Sequence, residues 1–313
     1  MATMETHKKG IHHITALSGD AQRNADFYVK DLGMRLVKKS VNQDDPGTYH
    51  LFYGNAYGSP GSGITFFPWP QAQLGRSGVG EAVSVAFAAP SGSMDYWIDR
   101  LESKGIKVSK PYSRFDHQAI GFSDPDEIKL ELVFDDKVDQ LPGWEKSTVP
   151  AEHGVRGFHG TTLRLKEREA TAEVLEELFE FRETARDGNS WLYTTDAPIG
   201  SSVIIEVADS GLPSSGRGTI HHVAFRVADD DELESLRERV SQMGLNPTPY
   251  IDRHWFHSVY FRSPGGVLFE IATDGPGYNV DEDRDKLGEK LILPPWLEPK
   301  REMIENRLPE VRV

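Results

Sequence analysis

Two strings recur along this chain at a nearly fixed interval, and that periodicity limits the fold more than any local propensity does. The closing string Phe261-Arg262-Ser263-Pro264-Gly265-Gly266-Val267-Leu268-Phe269-Glu270 echoes Phe122-Ser123-Asp124-Pro125-Asp126-Glu127-Ile128-Lys129-Leu130-Glu131. The opening string His221-His222-Val223-Ala224-Phe225 stands where Val83-Ser84-Val85-Ala86-Phe87 stands. Glu131 follows Ser84 by 47 positions and Glu270 follows His222 by 48. A third copy runs from His159, in Phe158-His159-Gly160-Thr161-Thr162, to Glu206, again 47 positions. The first copy is looser: it opens on Ile11-His12-His13-Ile14-Thr15, and a longer loop puts Phe67 in the position of the glutamate.

Each copy reads as strand, helix and three strands. After every opening strand, apolar residues recur three and four apart: Ala25, Tyr28, Val29 and Leu32 in the first copy, and Met94, Trp97, Ile98 and Leu101 in the second. The third predicts a helix over roughly Glu167 to Phe181. The fourth carries Leu233, Leu236, Val240 and Met243 behind Asp229-Asp230-Asp231, acidic as a helix N-terminus favours, with Gly244 as the stop. The segments Tyr49 to Tyr53 and Ser258 to Phe261 have the aromatic and β-branched content of strands. The expected fold is therefore α+β, four βαβββ modules making two domains. Residues 1–150 form the first and 151–273 the second, with a boundary near Asp135 to Pro150. Residues 274–313 have no repeat partner and read as a wrapping or lid segment.

Composition narrows the partners. A formal charge of -14 with no Lys/Arg cluster argues against nucleic acid and anionic membrane surfaces. The absence of cysteine removes disulfides, thiolate metal sites and a thiol nucleophile, leaving His, Asp and Glu as the strong metal ligands. The opening Met1 to Lys9 lacks the apolar stretch of a signal peptide, so a cytoplasmic protein is expected.

Two modules packed side by side form a cupped sheet, with one residue of each first and last strand pointing into the cup. The candidate positions are His13 and Phe67, Ser84 and Glu131, His159 and Glu206, and His222 and Glu270. If the first module pairs with the fourth, the cup holds His13, His222 and Glu270 with open positions, the arrangement of non-haem Fe(II) oxygenases. If the third pairs with the fourth, it holds His159, Glu206, His222 and Glu270, which suits a glyoxalase-like Lewis-acid isomerase or hydrolase. The His-His doublet, present only in the first and fourth modules, favours the first pairing. A carboxylate at Glu270 inside an apolar strand would cost several kcal/mol to bury unpaired, which a metal explains. Glu131 and Glu206 read as vestigial ligands.

The chain also resembles a known family, the vicinal oxygen chelate superfamily, and within it the ring-cleaving dioxygenases of hydroquinones. The resemblance covers nearly the whole chain. It is carried by Ile11 to Thr15, Asp26-Phe27-Tyr28, Leu32 to Lys39, Val41-Asn42-Gln43, Tyr49 to Tyr53, Ile220 to Phe225, Asp252-Arg253, and Tyr260 to Gly266 leading to Glu270. The tail strings Asp281-Glu282-Asp283, Leu287-Gly288 and Leu293-Pro294-Pro295 belong to it as well. The resemblance implies Fe(II), with Mn(II) as an alternative, held by His13, His222 and Glu270. It implies a small aromatic diol and O2 as partners, and Thr15, Arg253, Tyr260, His12 and His221 around the substrate. Strand alternation puts Thr15 on the face of His13 but His12 and His221 on the opposite face, where they would steer the ligand strands. Tyr260 would hydrogen-bond a reacting oxygen, Arg253 would stabilise developing anionic charge, and Phe67, Trp69, Trp255 and Phe256 would wall an aromatic ring. His254 and His257 carry no assigned role. A homo-oligomer is compatible with the sequence, and a non-catalytic aromatic-binding protein is the third reading of the same fold.

Overall fold

The computed structural model describes residues 9–209 and 211–313. The leader reading of the first residues therefore lies, for residues 1–8, outside the described part. Four βαβββ modules follow one another. The first is β1 (Ile11–Ser18), α1 (Ala21–Ala25) continuing into a wider helical turn at Asp26–Asp31, β2 (Arg35–Val41), β3 (Tyr49–Gly54) and β4 (Gly63–Pro68). The second is β5 (Glu81–Pro90), α2 (Met94–Ser103), β6 (Tyr112–Arg114), β7 (His117–Ser123) and β8 (Lys129–Asp135). The third is β9 (Gly157–Leu165), α3 (Glu169–Phe179), β10 (Arg182–Asp187), β11 (Ser190–Thr194) and β12 (Ser202–Val207). The fourth is β13 (Ile220–Val227), α4 (Asp230–Gln242), β14 (Ile251–Asp252), β15 (Phe256–Arg262) and β16 (Leu268–Pro276).

The helices form where the periodicity placed them, each with a local reason to start or stop. The Asp20 carboxylate caps α1 by accepting from the Arg23 amide at 2.7 Å, and Asp229 caps α4 through the Glu232 amide at 3.0 Å. Trp97 and Leu101 of α2 and Leu233, Leu236 and Val240 of α4 are buried on one face. Gly33 and Gly244 follow the first and fourth helices with φ of +69° and +77°, a backbone that a side chain would disfavour.

Pairing of the modules does not follow chain order. One eight-stranded sheet runs β14-β15-β16-β13-β1-β4-β3-β2, so it joins the fourth module to the first. The other runs β10-β11-β12-β9-β5-β8-β7-β6 and joins the third to the second. The boundary at 135–150 separates two modules from two along the sequence, whereas in space each sheet takes one module from either side of it. The pairing of the third module with the fourth is thereby corrected: His159 and Glu206 lie in one sheet, His222 and Glu270 in the other. The two sheets share one apolar core. Phe179 of α3 stacks on Phe225 of β13 at 4.1 Å, and Phe87 on Phe158 at 5.5 Å. No helix among the described residues is long and apolar enough to cross a membrane.

The tail lies against the first sheet. Tyr278 and Leu287 pack with Val37, Phe52 and Trp255, while Leu293, Leu297 and Ile304 of the last turns and α5 (Arg301–Glu305) pack on Val41. The Ile292 amide donates to the Lys39 carbonyl at 2.9 Å, and the Tyr49 hydroxyl donates to the Pro309 carbonyl at 2.8 Å.

Candidate metal centre

The centre is shaped by bulges in the opening strands. In the β1–β13 ladder Ile11 faces Phe225 and His13 faces Ala224, while Thr15 faces His222 and Ala16 faces Ile220. One residue is therefore extra at each end: His12 on β1 and His221 on β13. A bulge breaks strict alternation, and this corrects the expectation that His12 and His221 point away from their neighbours. Nδ1 of His12 is 2.9 Å from Nδ1 of His13, and Nδ1 of His221 is 2.8 Å from Nδ1 of His222. The same device recurs in the second sheet, where Ser84 faces Thr162, Ala86 faces Gly160 and Phe87 faces Phe158.

That register corrects three positions. His159 is the bulge residue of β9 and corresponds to His12, so Gly160 stands where His13 does, and a side chain there would strike Ser202. Glu206 faces Arg164 in the ladder and pairs with it at 2.8 Å, while Ile204 holds the position equivalent to Glu270. In the first module Thr65, opposite Thr15, holds that position, and Phe67 lies two residues further. The interval from opening to closing position is 52 residues from His13 to Thr65 and 44 from Gly160 to Ile204, against 48 from His222 to Glu270, so the aligned strings land two residues away in both modules. Glu131 does sit opposite Ala86 as Glu270 sits opposite Ala224, but it is ion-paired to Arg114.

In the first sheet three donors converge. Nε2 of His13 and Nε2 of His222 are 3.3 Å apart, and Oε2 of Glu270 is 3.1 Å from the first and 2.9 Å from the second. Donors bound at about 2.0–2.2 Å and roughly 90° apart stand about 2.8–3.1 Å from one another, so the three suit one face of an octahedral ion. All are buried. Oε1 of Glu270 accepts from the Ser258 hydroxyl, but Oε2 is buried with no hydrogen-bond partner, an orphaned atom that a cation satisfies. Burial by itself pushes this carboxyl up, yet His13 and His222 outweigh it and hold it well below the usual range. For Nε2 to bind a metal, each ligand histidine must carry its proton on Nδ1, and there the neighbouring histidine accepts it. Burial, reinforced by His13, lowers His12 to about 3, and burial with His222 lowers His221 to about 4, so both companions are neutral acceptors at neutral pH.

A narrow cleft opens beside these donors, lined by Gln43, His50, Phe52, Phe67, Arg253, Trp255, Phe256 and Tyr260. Tyr260 is directly opposite Glu270 in the ladder and meets the His222 ring edge-on at 5.6 Å. Burial, then the Glu270 charge, raises its phenol well above the ordinary value, so it is a neutral donor. The Arg253 guanidinium lies 5.5 Å from the Tyr260 ring centre, and its Nη2 donates to Asp44 at 3.1 Å. Thr15 is buried on the side of His13, but its hydroxyl is 2.8 Å from that of Thr65, one step back from the cleft. Trp69 is not a wall: its ring nitrogen donates to Thr48. His254 contacts Asp281 and His257 contacts Asp230, both outside the lining. The residue that sequence reading missed is His50, whose Nε2 is 2.8 Å from the Thr65 hydroxyl and whose ring lies 3.8 Å from Phe52. Alternation along Tyr49 to Tyr53 held the signal, since it puts His50 and Phe52 on the cup face together.

The model of the glyoxalase/bleomycin resistance protein/dioxygenase superfamily matches the sequence twice, over residues 10–132 and 147–271. The chain belongs to this superfamily. Each match spans two consecutive modules, and the likeness to vicinal oxygen chelate proteins holds in both sequence and fold. Among relatives, "Putative ring-cleaving dioxygenase MhqO" of Bacillus subtilis is 40% identical over 299 residues, covering 96% of this chain and 95% of that protein. The chlorohydroquinone/hydroquinone 1,2-dioxygenase of Sphingobium indicum is 35% identical over 308 residues, covering 95% of each. The crystal structure of a "putative dioxygenase" from Bacillus subtilis superposes with a TM-score of 0.93 at 39% identity, over 97% of both chains.

Proposed function

We propose that this member of the superfamily is a non-haem Fe(II) ring-cleaving dioxygenase that inserts both atoms of O2 into a hydroquinone-type diol. The observation that carries the reading is the spacing of two imidazole nitrogens and one orphaned carboxylate oxygen, 2.9 to 3.3 Å apart at the base of an aromatic-walled cleft. The name of the Sphingobium relative supports the substrate class. His13, His222 and Glu270 would hold the ion, and the same donors accept Mn(II). When bound, the ion supplies the point where diol and O2 meet and the electron relay between them.

The chain's own residues do the remaining work. His12 and His221 accept the Nδ1 protons of the ligand histidines and so fix their tautomers. Phe67 and Phe256 hold the ring between apolar faces, which keeps water from the reacting carbon. Tyr260, neutral and opposite Glu270, donates a hydrogen bond to the diol oxygen nearest the donors. Arg253 balances the anionic charge that develops there. Thr15 acts through Thr65, whose hydroxyl also bonds His50.

The isomerase reading required His159 and Glu206 beside His222, and the sheet pairing keeps them apart. Anaerobic reconstitution with Fe(II), followed by oxygen-electrode assays with methylhydroquinone and with catechol, tests the proposal. Uptake of one O2 per diol is expected with methylhydroquinone. A fully loaded enzyme that consumes no O2 with either diol would overturn it.

A further inference from the structure

The second sheet lacks the first sheet's donor set but gathers another. His117 opens β7, Asp135 closes β8, and His159 is the bulge residue of β9, and one donor atom of each lies within 4.8 Å of the others. Asp135 and His117 stand two residues from Val133 and Ala119 and so share their face; these two with Ala86 form a cluster separate from the main core, so the group occupies the cupped face. It is not the internal copy of the first centre, whose equivalent positions here are Gly160, Ser84 and Glu131.

Three features suit these donors to a cation. The Ser202 hydroxyl donates to the His159 carbonyl at 2.8 Å, so at 3.1 Å it accepts from Nδ1–H of the His159 ring, leaving the lone pair on Nε2. The half-buried His117 ring meets the His159 ring edge-on at 5.0 Å and makes no hydrogen bond among the described residues. Asp135 is buried, and its Oδ1 accepts from the Lys137 amide at 2.9 Å, leaving Oδ2 for a ligand. The nearby Arg114 does not oppose this, because its charge is countered by Glu131. Two imidazoles and a carboxylate are a borderline donor set, matched by Zn(II), Co(II) or Ni(II) rather than Ca(II) or Mg(II).

We propose that His117, Asp135 and His159 form a second divalent-metal site that binds Zn(II)-class ions and pins the β7–β8 hairpin of the second module to β9 of the third. With donor atoms already within 4.8 Å of one another, a bound ion would draw the three residues together. The site is independent of the dioxygenase reading, since it shares no residue with the first centre.

The test uses tag-free, metal-stripped full-length protein titrated with Zn(II) by calorimetry and with Co(II) by absorption. Wild type should take two equivalents, and His13→Ala, His117→Ala and Asp135→Asn one each. The double variant His13→Ala/His117→Ala should take none. In the His13→Ala background, Zn(II) should raise the melting temperature by several degrees, a shift that His117→Ala removes. His117 is half-exposed beside a hairpin turn, so its loss leaves folding intact, and Asp135→Asn keeps the acceptor for the Lys137 amide. A single equivalent in wild type that survives His13→Ala and is lost in His117→Ala supports the proposal and counts only against the first centre. One that survives His117→Ala and Asp135→Asn and is lost in His13→Ala overturns the proposal. So does unchanged stoichiometry in both His117→Ala and Asp135→Asn, or one equivalent remaining in the double variant, which would place the ion elsewhere.

Discussion

His12 and His13 are consecutive in β1, yet their Nδ1 atoms lie 2.9 Å apart, because a bulge at His12 abolishes the alternation that would separate them. A neutral His12 can then hold the proton of His13 where a metal ligand needs it. Replacing His12 with Phe keeps the packing against Phe256, whose ring lies 5.4 Å away, but removes the acceptor. Metal affinity should fall roughly 10- to 100-fold while the circular dichroism spectrum stays unchanged. Competitive titration against a chelator measures it, and an unchanged affinity would show that the pair only packs.

Glu270→Gln separates holding a metal from holding the fold. The amide keeps the hydrogen bond to Ser258 but loses the charge that Oε2 presents to both imidazoles. Fe(II) retention after gel filtration should drop from near one equivalent to near zero, with the apo-protein melting within a few degrees of wild type. Retained iron in this variant would remove Glu270 from the ligand set.

Tyr260→Phe probes the donor opposite Glu270. The ring should continue to pack against His222, so iron content is expected to hold while kcat falls roughly 100- to 1000-fold, the range for losing one hydrogen-bond donor to developing charge. A variant that loses iron rather than turnover would make Tyr260 a structural neighbour of the site.

Repeat equivalence made His13, His222 and Glu270 legible in the sequence, because strand periodicity and module spacing constrain the same positions twice. It failed where chain length and register part company. Phe67 gave way to Thr65 because the first module is longer between its opening and closing strands, and Glu206 to Ile204 because the third is shorter. His159 looks like the counterpart of His13 in the string alone because a bulge inserts one residue without leaving a mark in composition. The neutral state of His12 and its place beside His13 were illegible for the same reason. The role of the tail was illegible because its ion pairs join residues more than two hundred positions apart.

Stability of the metal-free protein should fall on mild acidification. An unfolded histidine titrates near 6.5, whereas burial lowers folded His12 to about 3 and His221 to about 4. Below 6.5 the unfolded chain binds protons that the folded one refuses, so folding free energy is full above that pH and is lost as pH falls toward 4. Urea denaturation in chelator at pH 7.5, 6.0 and 5.0 should show a falling midpoint, with a shallower fall in His12→Phe. Equal slopes for the two proteins would assign the acid sensitivity to other groups.

Lys38 of β2 is fully buried, and its ammonium contacts Asp281 at 2.6 Å and Glu282 of the tail. Asp281 also accepts from the ring nitrogen of Trp255, a wall of the cleft, at 2.8 Å. Removing one member of a buried ion cluster strands its partners, which costs about 3–5 kcal/mol. Lys38→Met should therefore destabilise the protein by that order and release the tail, read as faster proteolytic cutting within residues 281–292. Combining Lys38→Met with Asp281→Asn and Glu282→Gln leaves no uncompensated charge, and should recover more than half of the loss while the asparagine still accepts from Trp255. Recovery of stability together with KM for the diol would show that the ion cluster shapes the cleft by fastening the tail. Recovery of stability alone would confine its role to the fold.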